Sequence, residues 1–259
     1  MEEVEGSFLE KGRDSMADLY DRYRQGAYQE VYDELLAMQE HIYEPPIYEE
    51  ALLVMRELMR RVRMNIESLI ARLHSIGYHF GKGGFWQEFA PEQQSAFSPV
   101  FQSPPSGTSA HLARLEQLAG PLPLALKCWY EEVGRVNLIG LFAANKRGDG
   151  SIFDPLYIES LEQVLKEAQV FLEIDGWPDR VVILAPDQYH KYGFSGAGAY
   201  TMALPCKALD APFVNEPHHT TFVNYLRVSL RWGGFPGLAT EPRLVPEEMD
   251  MLTKDLVLF

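Results

Sequence analysis

Residues 47–76 read IYEEALLVMRELMRRVRMNIESLIARLHSI. Apolar side chains fall at 51, 55, 58/59, 62, 66, 69, 73 and 76. Steps of three and four draw one stripe along a helix, with neighbouring members a turn apart. Thirty residues at ~1.5 Å rise make a rod of roughly 45 Å. Pro45-Pro46 precedes it, and proline suits a first turn better than a helix interior. Gly77 is a natural stop. The other face carries Arg56, Arg60, Arg61, Arg63 and Arg72. These read as a solvated face, with Glu57 and Arg61 ordered for an i,i+4 pair. An RNA or anion contact is the less favoured reading, because the chain as a whole is acidic.

Upstream, residues 15–24 and 27–41 read as two helices separated by Gly26. Tyr28 and Tyr32 stand one turn apart, as do Val31 and Leu35. The long stripe is expected to be buried against these helices or against the downstream half. Residues 81–107 have linker composition, opening on Gly81-Lys82-Gly83-Gly84 and closing on Ser103-Pro104-Pro105-Ser106-Gly107. The glycines lack the spacing and the preceding strand of a phosphate loop. Phe85, Trp86, Phe89, Phe97 and Phe101 argue that the segment is pinned to a neighbouring surface.

Downstream the pattern alternates. Helices are expected over 109–118, with Thr108 or Ser109 as N-cap, and over 124–133, 158–172 and 221–231. Strands are expected over 136–142, 181–185 and 200–204, with a hairpin-like 189–198 and a polar turn over 145–155. Helices first, then strands, then a helix suggest an α+β fold with an antiparallel or mixed sheet flanked by helices. The organisation expected is a helical region over 1–80, a surface-packed linker over 81–107, an α+β domain over 108–237 and a tail over 238–259.

The 259 residues include 37 Asp and Glu against 23 Lys and Arg, a net charge of −14. A field of that sign repels phosphate backbones and anionic lipid, so neither nucleic acid nor a membrane surface is the expected partner. Two cysteines, Cys128 and Cys206, form no framework and suit a reducing compartment. The opening Met1-Glu2-Glu3-Val4-Glu5 has no secretory pattern, and no apolar run approaches ~20 residues. A cytoplasmic protein is expected.

The residues that could carry catalysis are few. Gly193-Phe194-Ser195-Gly196-Ala197 misses G-x-S-x-G at its last position, and a strand rather than a helix is expected after it. Asp210 and His218 follow Ser195 in triad order, which keeps a hydrolase open as an alternative. Asp187, His190 and His218, with Glu216 and His219, are the only clustered metal-ligand types, and their spacing matches neither H-E-x-x-H nor a Cys/His zinc pattern. No cofactor and no metal are expected. Asp149, Asp154, Asp175 and Asp179 lie in turns, where solvated acids need no further account. Trp177 could be core or an interface anchor.

Residues 109–237 resemble the SUKH superfamily, the domain of Smi/Knr-type cell-wall regulators and of bacterial immunity proteins. The resemblance rests on Glu116, Leu122-Pro123, Trp129-Tyr130 and Val133-Gly134, then on the order of the following strands and helix. It closes on Gly196 to Tyr200 and Phe222-Val223-Asn224-Tyr225-Leu226. It covers about half of the chain. The long helical N-terminus and Trp232-Gly233-Gly234-Phe235-Pro236-Gly237 depart from the family pattern. The resemblance implies an α+β domain that binds a protein without catalysis, as an immunity protein or toxin antagonist with a basic toxin domain as partner. On that reading Asp149, Asp154, Asp175 and Asp179 form an acidic rim and Trp177 its anchor. An oligomeric scaffold assembled through the long helix is a third reading, and the oligomeric state is left open.

Overall fold

The computed structural model describes residues 18–81, 99–142, 153–175, 180–194, 196, 198–241 and 246–259, apart from the side chain of Asp175. Within them the chain is a mixed α+β protein whose helical N-terminal region precedes small antiparallel sheets.

The first helices are α1 (Leu19–Arg24) and α2 (Tyr28–Ala37), followed by a 3-10 turn over Gln39–Tyr43. The long helix α3 spans Ile47–Ser75, within a residue of its expected end. Gly77 closes it at φ +75°, which a side chain would resist. Its whole stripe from Ala51 to Leu73 is buried; only Ile76, just past the helix end, is partly exposed. The partners lie on both sides: α1 and the 3-10 turn, and α5 (Leu124–Glu132), α7 (Phe222–Arg231) and α8 (Met249–Thr253). Buried residues of the two halves therefore belong to one cluster. The stripe that a scaffold would use as its seam is already covered within the chain.

The arginines of α3 are engaged within the chain as well. Glu57 binds both Arg60 and Arg61 at 2.8 Å. Arg56 pairs with Glu131 at 3.0 Å and Arg63 with Glu67 at 2.8 Å. Arg72 donates to the carbonyls of Leu252 and Lys254. Asn65 makes two hydrogen bonds to the backbone of Val257, one in each direction, at 2.9 and 2.8 Å. The segment expected to be a tail thus lies along α3, held by side chains one or two turns apart.

In the second half, α4 (Thr108–Ala119) begins at Gly107, whose φ of +99° no side chain would adopt cheaply. Neither Thr108 nor Ser109 is the cap; the Thr108 hydroxyl donates to the Pro105 carbonyl at 2.8 Å. The strand expected over 136–142 is two strands, β3 (Arg135–Asn137) and β4 (Gly140–Leu141). Asn137 breaks it by accepting the Ile139 N–H on its side-chain oxygen at 3.0 Å. Strand β4 pairs with β1 (His79–Phe80), and β3 lies between β2 (Phe101–Gln102) and β5 (Tyr157–Ile158).

Helix α6 runs Leu161–Asp175, starting three residues later than expected because Ile158 belongs to β5. Ser160 marks the start by accepting the Gln163 N–H at 3.2 Å. The hairpin β6 (Val181–Ala185) and β7 (Tyr200–Ala203) is antiparallel, with a bulge between Ile183 and Ala185. Among the described residues every strand pairing is antiparallel, and the strands divide into three small sheets. Trp129 is fully buried with its ring edge-on to Phe222, while Trp232 is partly buried.

Candidate functional site

Of the five residues expected on an acidic rim, Asp149, Trp177 and Asp179 lie outside the described residues. Asp175 ends α6, but its side chain is likewise outside them. Asp154 is the correction. It is 0% exposed and cannot face a partner. Its carboxylate is ion-paired with Lys191, itself fully buried, and accepts the Tyr200 hydroxyl at 3.0 Å. The Lys191 ammonium also lies 4.8 Å from the centre of the Tyr200 ring. Burial holds the Lys191 amine below its ordinary range, against the opposing pull of Asp154. Asp154 holds φ at +46°, a conformation that Asp tolerates better than most residues.

Around this pair stand the residues of the alternative enzyme readings. Ser195 lies outside the described residues. The Asp187 carboxylate accepts the backbone N–H groups of Tyr189 and His190 and the His190 ring. Burial alone would raise the Asp187 pKa; these three contacts outweigh it and hold it below the usual value. A Cβ on Gly196 would collide with Asp187, so the loop closes directly over the carboxylate. Glu216, 0% exposed, does the same work in the next turn. It accepts N–H from His218 at 2.8 Å and from Thr220 at 2.5 Å, and meets the His218 ring at 3.0 Å. Each carboxylate is thus committed to its own turn and its own histidine. Among the described residues no three His, Cys, Asp or Glu side chains converge to hold a metal. Asp210, the acid between Ser195 and His218 in the triad order, lies elsewhere. It accepts from the Tyr32 hydroxyl at 2.7 Å and from the Val223 and Ala211 N–H groups at 3.0 and 2.8 Å.

The Glu216 carboxylate raises the His218 pKa above its ordinary 6.5, chiefly by hydrogen bonding. A raised folded value means that protonated His218 stabilises the fold. That contribution is complete below the unfolded pKa and fades as pH rises through the folded one. Melting temperature is therefore expected to fall between about pH 6 and about pH 8 by more in the wild type than in His218→Asn. Parallel profiles in differential scanning calorimetry would show that the pair contributes nothing.

A further exposed acidic surface lies on the N-terminal helices, outside the rim expected from the sequence. Residues 18–50 carry nine carboxylates against two arginines, a net −7 within a total of −14. Asp18, Asp21, Glu30, Asp33, Glu40, Glu44 and Glu49 are all exposed. Glu34 pairs with Arg22 at 2.8 Å, and Glu50 accepts the Tyr20 N–H at 2.9 Å. Asp18, Asp21, Glu30, Asp33, Glu40 and Glu49 make no ion pair with any described residue. A running charge count along the sequence would have found this segment.

No helix among the described residues is long and apolar enough to cross a membrane. No family model, no curated protein and no solved structure matches the chain.

Proposed function

We propose that this chain is a non-enzymatic protein-binding protein of the toxin-antagonist kind, and that its acidic N-terminal helices meet a basic partner. The observation that carries the reading is the row of exposed, unpaired carboxylates on α1, α2 and the following turn. Uncompensated surface charge of one sign destabilises a fold slightly and speeds capture of an oppositely charged partner. The resemblance of residues 109–237 to the SUKH superfamily supplies the class of partner. The commitment of Asp187, Glu216 and Asp154 to internal contacts argues in the same direction, since each is held by the fold's own donors.

The test is capture from the source cells with the full chain as bait, at low salt and again near 0.5 M, where the Debye length is only about 4 to 5 Å. A basic protein retained at low salt and released at high salt is expected. An acidic partner, or one whose retention is independent of salt, would contradict the electrostatic part of the proposal. Turnover of a substrate by the purified chain, abolished by Asp187→Asn or His218→Ala, would contradict the non-enzymatic part.

A further inference from the structure

We infer that the face of α3 beneath residues 254–259 is a binding site for an extended peptide main chain, and that the chain's own residues 254–259 occupy it in cis. The inference does not depend on the acidic surface of α1 and α2 and uses none of its residues.

The segment leaves α8 at Asp255, which turns at φ +55°, and runs along α3 towards that helix's N-terminus. Arg72 donates to the Leu252 carbonyl at 2.8 Å and to that of Lys254. Asn65 donates to the Val257 carbonyl at 2.9 Å and accepts the Val257 N–H at 2.8 Å. Arg61 donates to the Leu258 carbonyl at 3.1 Å, while Glu57 holds its Nε at 2.8 Å. Arg227 of α7 donates to a Phe259 backbone oxygen at 3.3 Å. Positions 61, 65 and 72 are spaced by four and seven, which sets them in a row on one face of the helix.

Each of these contacts goes to a main-chain atom. Among the described residues neither Lys254 nor Asp255 forms an ion pair, and the Leu258 side chain is 72% exposed. What the segment supplies by side chain is apolar: Leu256 and Phe259, three positions apart, pack against the core. Main-chain hydrogen bonds hold a peptide whatever its sequence, and pockets for particular side chains select among peptides. Asn65 is the strongest mark of such a site. Its amide offers one donor and one acceptor to the C=O and N–H of a single residue, and at 3% exposure it is fixed by packing. A segment held this way can be replaced by another extended chain with apolar side chains at the same spacing. The tether gives the cis segment an effective concentration on the order of millimolar, so a peptide in trans competes only when the cis contacts are weakened.

A peptide with the sequence of residues 254–259, carrying fluorescein at its N-terminus, is titrated with the full chain and followed by anisotropy. The double variant Leu256→Asp, Phe259→Asp loses both apolar contacts of its own segment. It is expected to bind the peptide saturably and about tenfold or more tightly than the wild type does. The same peptide N-methylated at the position of Val257 has no N–H for Asn65 and should bind that variant about tenfold more weakly. If the double variant folds poorly, Val257→Pro takes its place, since it removes the N–H that Asn65 accepts. No saturable binding by either variant, equal binding by the wild type, or equal binding of the N-methylated peptide overturns the inference.

Discussion

Leu69→Asp is expected to unfold the chain at ambient temperature. Leu69 is 0% exposed in the middle of the α3 stripe. A Cβ built on Gly234 would come within 4.0 Å of its Cδ1 and 2.6 Å of Leu138 Cδ1, so Leu69 sits where the long helix meets the second half. A carboxylate there has no described partner, and its burial costs several kcal/mol on top of the lost apolar contact. Against a typical total stability of about 5–15 kcal/mol that loss is decisive. Because buried residues of both halves form one cluster, both should melt together. Met64→Asp, on the same helix but 43% exposed, is the control and should shift stability by less than about 0.5 kcal/mol. Circular dichroism melts of the two variants decide the matter. A native melt for Leu69→Asp would mean that the stripe is free, which would favour the scaffold reading instead.

Lys191→Met is expected to cost about 3–5 kcal/mol, because it leaves the Asp154 carboxylate buried without its cation. Adding Asp154→Asn should recover part of the loss. Asn accepts the Tyr200 hydroxyl, tolerates the positive φ and carries no charge. The double variant should therefore be more stable than Lys191→Met alone, a non-additivity characteristic of groups in direct contact. Chemical denaturation of the wild type, of Lys191→Met, of Asp154→Asn and of the double variant measures it. A loss under about 1 kcal/mol for Lys191→Met would mean that the pair is open to water.

Much of the fold was legible because its strongest signals are local and periodic. The α3 stripe repeats for eight turns, and no competing pattern fits it. The helices over 124–133 and 221–231 and the strands over 181–185 and 200–204 were legible for similar reasons: clear breakers on either side and an unbroken period inside. The reading failed where one polar side chain overrides an apolar run. Asn137 splits a strand through its own side-chain hydrogen bond, and Ser160 delays a helix that the apolar residues from 158 onward would begin earlier. Both are turn and cap residues whose effect depends on which neighbouring N–H is left without a partner. The tail over 238–259 hid its role for another reason. Its docking uses backbone carbonyls met by Arg61, Asn65 and Arg72, and backbone groups leave no trace in a pattern of side chains.

The site was less legible than the fold. Asp154 reads as a turn acid in sequence, yet its meaning depends on Lys191, 37 residues away. Charge and exposure come apart here: the acids of the second half include buried structural groups, whereas Asp21, Glu30 and Asp33 of α1 and α2 are exposed and make no ion pair with a described residue. Composition fixes the number of carboxylates, but only packing decides which of them face solvent.

The most direct measurement is the association rate with the captured partner, taken at low salt for two charge-neutralised chains. One carries Asp21→Asn, Glu30→Gln, Asp33→Asn and Glu40→Gln on the N-terminal helices. The other carries Glu162→Gln, Glu173→Gln, Glu247→Gln and Glu248→Gln, four exposed acids elsewhere. The account predicts that the first associates about tenfold more slowly than the wild type and loses most of its salt dependence, with dissociation little changed, while the second is nearly normal. Equal slowing of both chains, or none in the first, would contradict it.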